Sequence, residues 1–198
     1  SAATSAQQRQ QQQQRMVAST ADTYVPPPSK RGPPQGGDMA YIKENIDRQS
    51  NIYQDIRRVG GVEDVVWDVY ARASPQLSFW FVGKVALCST VSLSQALSRQ
   101  WNLMEEHACR LRPIELGRAF GRIEFFVAPG DTEMECSENK IPLTRIDRLF
   151  HPNEYQDIAT HEAGFLCEFV TNRGIGFFLH RNSDGSIPTS SEGRYPLD

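Results

Sequence analysis

SLSQALSRQWNLMEEHACRLR, running from Ser92 to Arg112, is the stretch on which the fold turns. Leu93, Leu97, Trp101, Met104, Ala108 and Leu111 recur at the spacing of one helical face. Ser92 is placed to cap the first turn, and Pro113 cannot continue the helix. Arg99, Asn102, Glu106 and Arg110 fall off the stripe, so a solvated face is expected there, with Glu106 and Arg110 paired four residues apart. A helix with one apolar stripe needs a second layer to cover it. The run before it, Leu77 to Leu87, is aromatic and β-branched and reads as a central strand.

Downstream come short strands with turn punctuation: Arg122 to Ala128, then Pro129-Gly130-Asp131, Thr132 to Ser137 and Pro142 to Ile146. In a strand, Asp131, Glu133 and Glu135 would point to one side and, with Glu138, form an acidic edge that resists aggregation. Glu162 to Thr171 and Ile175 to Arg181 read as a β-hairpin turned by Asn172-Arg173-Gly174. Upstream, Met39 to Arg58 has helical spacing and is closed by Gly60-Gly61. Val62 to Ala73 reads as a second short helix, although its β-branched residues leave a strand as the alternative. The fold class that follows is α+β: an antiparallel sheet of about five strands with one main packed helix, preceded by two short helices and an extended N-terminal tail. The expected organisation is a tail over 1–38, a helical arm over 39–75, the α+β domain over 76–181 and an extended C-terminal tail over 182–198.

The tail differs sharply from the rest. It holds a glutamine block (Gln7, Gln8, Gln10 to Gln14), then Pro26-Pro27-Pro28 and Pro33-Pro34-Gln35-Gly36-Gly37, with almost nothing apolar to set against its ordering entropy. Residues 1–37 carry Arg9, Arg15, Lys30 and Arg31 against Asp22 alone, so a chain of net charge −3 has an acidic body behind a basic tail. An acidic body argues against nucleic acid as its partner. A basic tail suits an acidic protein surface, and Arg9, Arg15, Tyr24, Pro26, Pro27, Pro28, Lys30 and Arg31 are its expected partner-binding residues. No run approaches the roughly 18 apolar residues of a membrane span, so membrane association is expected to be peripheral at most.

Chemistry is sparse. Cys88, Cys109, Cys136 and Cys167 are scattered, without the paired spacing of a metal site, and read as reduced, mostly buried thiols. Glu105-Glu106-His107 with Cys109 is the densest polar cluster, but no second cluster at matching spacing accompanies it, and a solvated helix face accounts for it. His161-Glu162 lacks the second histidine of a zinc-protease helix, since Phe165 stands there. His151-Pro152-Asn153 reads as a turn, and His180 as a surface residue at a strand end. Gly117 and Gly121 lack phosphate-loop spacing. The expectation is no catalytic residue, no metal and no cofactor.

Residues 1–21 contain no acid and carry Arg9, Arg15, Ser1, Thr4, Ser5, Ser19 and Thr20, the composition of an organellar transit peptide. The chain opens with Ser-Ala-Ala, which reads as a processed product. Arg15-Met16-Val17-Ala18 resembles the leader-to-mature junction of nucleus-encoded plastid proteins of the red lineage. In architecture, a folded body on a long extension, the chain resembles the linker and accessory proteins of red-lineage phycobilisomes and photosystems. That resemblance implies a non-catalytic linker or accessory subunit on the stromal side of a plastid, bound to other subunits of a large assembly. Two further readings stay open: a plastid assembly or pigment-handling factor such as a bilin lyase, and a mitochondrial complex subunit.

Overall fold

The computed structural model describes residues 43–60, 65–74, 76, 78–168 and 176–189. All lie in one compact unit, Gly32–Asp198. The expected partner-binding residues Arg9, Arg15, Tyr24, Pro26, Pro27, Pro28, Lys30 and Arg31 lie outside the described residues, as do the 172–174 turn and the 190–198 end of the C-terminal tail.

The elements in chain order are α1 (Lys43–Gly60), β1 (Val66–Ala73), β2 (Ser78–Leu87), α2 (Leu93–Leu111), a 3₁₀ turn (Gly117–Ala119), β3 (Ile123–Pro129), α3 (Glu133–Ser137), β4 (Thr144–Ile146), a 3₁₀ turn (Pro152–Glu154), β5 (Ala163–Cys167) and β6 (Phe178–His180). The fold is α+β, with an antiparallel six-stranded sheet in the order β4-β3-β1-β2-β5, and β6 also on β2.

The helix that decides the fold forms as its pattern demands. The Gln95 amide donates to Ser92 Oγ at 3.3 Å and the Ser92 amide to Gln95 Oε1 at 3.0 Å, a reciprocal cap. Leu97, Trp101, Met104 and Ala108 then meet Val69, Val85, Phe125, Val127 and Phe165 on one face of the sheet. The Trp101 and Phe125 rings meet edge to face, 4.8 Å between centroids.

The opposite face is covered in two parts. Over one end lie Tyr53 and Ile56 of α1, against Val66, Ala86 and Leu166. Over the other, Tyr70, Phe79, Phe81 and Phe126 pack with Cys136, Leu143 and Leu179. Gly164 permits the first: a Cβ there would lie 2.3 Å from the Tyr53 backbone nitrogen, so α1 sits directly on β5. Gly83 shapes the space between them. The β1–β2 register slips there, with Val69 opposite Gly83 and Tyr70 opposite Phe81, leaving Val82 as the extra residue of a β-bulge. Gly83 has φ +148°, and a Cβ on it would meet the Leu166 carbonyl at 2.2 Å. The bulge shifts the alternation by one, so Phe81 and Lys84 share a face. A charge thereby enters the gap between two apolar clusters.

Four sequence expectations are corrected. The expected helix over 62–73 is a strand in its described part: Val66–Ala73 form β1, which pairs with β2 and β3 in the middle of the sheet. Both its faces are buried, so it shows no alternation, and its valines happen to recur at helical steps. The boundary drawn at residue 75 consequently falls between adjacent strands of one sheet. The strand expected over 132–137 is α3, so Asp131, Glu133 and Glu135 do not line a strand edge. The expected hairpin is corrected: among the described residues β5 and β6 do not pair with each other. They lie end to end along β2, Ala163 opposite Leu87 and His180 opposite Ser78. The Glu168 amide donates to the Val82 carbonyl and the Phe81 amide to the Phe177 carbonyl, both at 3.0 Å. Nor is the start of the expected C-terminal extension loose. A turn closes from the Asn182 amide to the Ser186 carbonyl (3.1 Å), and the Leu143 amide donates to the Gly185 carbonyl (2.9 Å).

Candidate functional site

Asp68 and Lys84 stand directly opposite each other on β1 and β2. Each is a lone charge in an apolar run, and Asp68 is fully buried. The Lys84 ammonium reaches three carboxylates: Asp68 at 3.2 Å, Asp131 at 2.6 Å and Glu133 at 2.7 Å. Asp68 also accepts the backbone N–H groups of Asp131 (3.1 Å) and Thr132 (3.0 Å), which fixes the turn that starts α3. Arg57 of α1 closes the other side, 2.9 Å from Asp131. One network therefore ties α1, β1, β2 and α3 together across the gap that the bulge opens.

Its electrostatics are those of a fixed anchor. Burial pushes the Asp68 carboxyl up to about 6, against the opposing pull of Lys84. Burial alone would lower the Lys84 ammonium, but hydrogen bonds to Asp131 and Glu133 outweigh it and hold the pKa above the ordinary lysine value. Such a lysine stays charged at neutral pH, so it offers no free amine for a base or a Schiff base. The hydrogen bond from Lys84 keeps Asp131 below the usual carboxylate range. A second cross-strand pair repeats the device. Arg72 faces Glu124, Nε to Oε2 at 2.7 Å, with its guanidinium 5.2 Å from the rings of both Phe79 and Phe126.

The polar side of α2 forms the second constellation. Gln95, Ser98, Arg99 and Asn102 lie on one stripe, and each holds the irregular segment 147–162, the strap. Gln95 Nε2 donates to the Glu154 carbonyl at 2.8 Å, and the Leu149 amide donates to Ser98 Oγ at 2.8 Å. Arg99 donates to the Ile158 carbonyl, and Arg148 to Asn102 Oδ1 at 3.0 Å. One turn on, Glu105 accepts the amides of Gly121 (2.8 Å) and Ile123 (3.3 Å), fixing the link to β3. The expected solvated face is thus corrected: Glu105, Glu106 and His107 are all buried. The expected Glu106–Arg110 pair does form, at 2.9 Å. His107 Nε2 donates to the Glu168 carbonyl at 2.8 Å, and burial pushes the imidazole down to about 4.

An open pocket of about 250 Å³ lies where the strap meets the start of α2, between Val91, Gln95, Tyr155 and Ile158. Its carboxylates are already engaged in part: Glu162 accepts the Thr90 hydroxyl at 3.1 Å and the Ala159 amide at 2.7 Å.

His151, His161 and His180 are exposed and separate. Among the described residues no group of three or more His, Cys, Asp or Glu is placed to hold a metal ion. Cys109, Cys136 and Cys167 are buried and Cys88 half-buried, and burial pushes Cys109 and Cys167 up to about 12, far from thiolate reactivity. No described helix is long and apolar enough to cross a membrane. No family model, no curated protein and no solved structure matches the chain.

The pairing of Asp68 with Lys84 leaves a signal in the sequence. An acid inside Val65-Val66-Trp67-Asp68-Val69-Tyr70 and a lysine inside Phe79 to Leu87 are lone opposite charges in adjacent apolar strands. Such charges enter a core only when paired.

Proposed function

We propose that this protein is a non-catalytic accessory or linker subunit of a larger protein assembly, its folded body docking on partner subunits and residues 1–37 lying along them. The observation that carries the reading is the Asp68–Lys84–Asp131–Glu133 network: the buried Asp68 carboxylate caps a turn, and the lysine is held charged by three acids. Those groups serve to hold segments together rather than to move protons. The acidic body supports a protein partner over nucleic acid. The acid-poor, Ser- and Arg-bearing leader supports a plastid as the compartment, and a photosynthetic complex, phycobilisome or photosystem, as the assembly.

A chain starting at Asp38 tests this. It should unfold cooperatively within a few degrees of the full-length chain while losing copurification with its complex. Unfolding of the truncated chain would make the tail part of the fold, and undiminished copurification would remove its proposed role.

A further inference from the structure

Long irregular segments in compact domains are uncommon, and those that persist usually carry function. Ordering one costs about 1–2 kcal/mol of backbone entropy per residue. The strap is such a segment, and α2 commits Gln95, Ser98, Arg99 and Asn102 to holding it. What the strap presents is Phe150, 81% exposed. Its neighbours are fixed on both sides: the Leu149 amide by Ser98, and the His151 amide by Glu154 Oε2 at 3.2 Å. A large aromatic ring therefore projects from a backbone that does not have to be ordered on binding. The exposed charged side chains of the strap itself are acidic. Asp147, Glu154 and Asp157 are exposed, while Arg148 is turned inward, onto Asn102 and 5.7 Å from the centroid of the Trp101 ring. Arg145 offsets Asp147 in part, at 3.2 Å.

We infer that the strap is a protein-docking surface, with Phe150 as the anchor that enters an apolar pocket of a partner subunit whose rim carries lysine or arginine. Interfaces concentrate their energy in a few aromatic anchors, and pre-ordered anchors bind with less entropic loss. The acidic rim selects a basic counter-surface and speeds encounter with it. The same acids disfavour an anionic membrane or a nucleic acid as occupant. This inference rests on the reading of the chain as an assembly subunit and names the face through which its body docks.

The test places the photo-crosslinker p-benzoylphenylalanine at position 150 of the full-length tagged chain in its native cells and maps the crosslinked peptide by mass spectrometry. The expected product is one partner protein, joined at an apolar segment flanked by lysine or arginine. Phe150→Ala should lower recovery of that partner about tenfold or more. The double variant Asp147→Asn, Asp157→Asn, which leaves the Glu154–His151 contact in place, should weaken recovery and flatten its salt dependence. Because Asp147, Phe150 and Asp157 are all exposed, both variants should keep the wild-type melting curve, which separates lost docking from lost folding. Equal recovery by Phe150→Ala overturns the inference, as does a crosslink to lipid, to nucleic acid or to an acid-rimmed surface. If Phe150→Ala changes nothing while removal of residues 1–37 abolishes copurification, the docking face is wrong and the subunit reading stands. If the full-length chain recovers no partner, both fall.

Discussion

Replacing Lys84 by methionine tests the ion network at its centre. Methionine keeps most of the stem and removes only the ammonium, which also lies 5.9 Å from the centroid of the Phe81 ring. Asp68, fully buried, would keep its two backbone N–H donors but lose the cation 3.2 Å away. Asp131 and Glu133 would face each other and Asp68 without the ammonium, while Arg57 stays bound to Asp131. Removing one partner of a buried ion pair costs about 3–5 kcal/mol, or roughly 6–20 °C in a domain of this size. Urea denaturation at pH 7.5 measures it, with an unchanged m-value showing that the folded state is intact. The deficit should also depend on pH. Asp68 already titrates near 6, above its unfolded value, and loses an attractive charge in the variant. A carboxyl raised in the folded state gains stability as pH falls through its folded pKa, and the gain is complete below its unfolded value of about 4. The Lys84→Met deficit should therefore shrink between pH 8 and pH 5, and Asp68→Asn in the same chain should recover much of it at pH 7.5. A loss below about 1 kcal/mol, or a deficit equal at pH 8 and pH 5, would refute the reasoning.

Two other changes probe the front of the sheet. Trp101, 7% exposed and edge-on to Phe125, should cost about 3–5 kcal/mol as Trp101→Ala in the same urea assay, and a change under about 1 kcal/mol would show that the stripe is not its anchor. His107, held near 4 by burial, stays neutral while its unfolded counterpart takes up a proton, so its contribution is present above about pH 6.5 and lost as pH falls toward 4. His107→Gln removes that loss, so the change in stability from pH 6.5 to pH 4.5 should be more favourable in the variant than in the wild type; an unchanged profile would remove His107 from the account.

What the sequence shows and what it hides follow from the same physics. α2 was legible because its apolar stripe, cap and terminal proline agree. β1 was not, because a strand buried on both faces loses its alternation, and Val65, Val66, Val69 and Tyr70 then imitate a helical face. α3 was hidden for a different reason: its start depends on Asp68, far away in sequence, accepting the amides of Asp131 and Thr132. Arg99 and Asn102 read as polar off the apolar stripe, but a pattern of polar side chains does not distinguish water from the backbone of a loop. Gln95, Ser98, Arg99 and Asn102 face the second. The expected hairpin failed because the alternation in β5 and β6 specifies which face is buried and not which edge is paired. The edge went to β2.

That sharing of β2 bears on synthesis. Ser78 faces His180, a sequence separation of 102 residues, and the other half of the strand waits for Ala163 to Cys167. On the ribosome, β1 and β2 can close their hairpin early, and α2 can cover one face as soon as it emerges. The outer backbone edge of β2 stays open until nearly the whole body has been made. Long-range antiparallel pairing of this kind closes late and slowly, and an open edge beside Phe79, Trp80 and Phe81 invites pairing between neighbouring nascent chains. The vulnerable species is thus the nascent chain before β5 and β6 have emerged, and those two elements end the exposure.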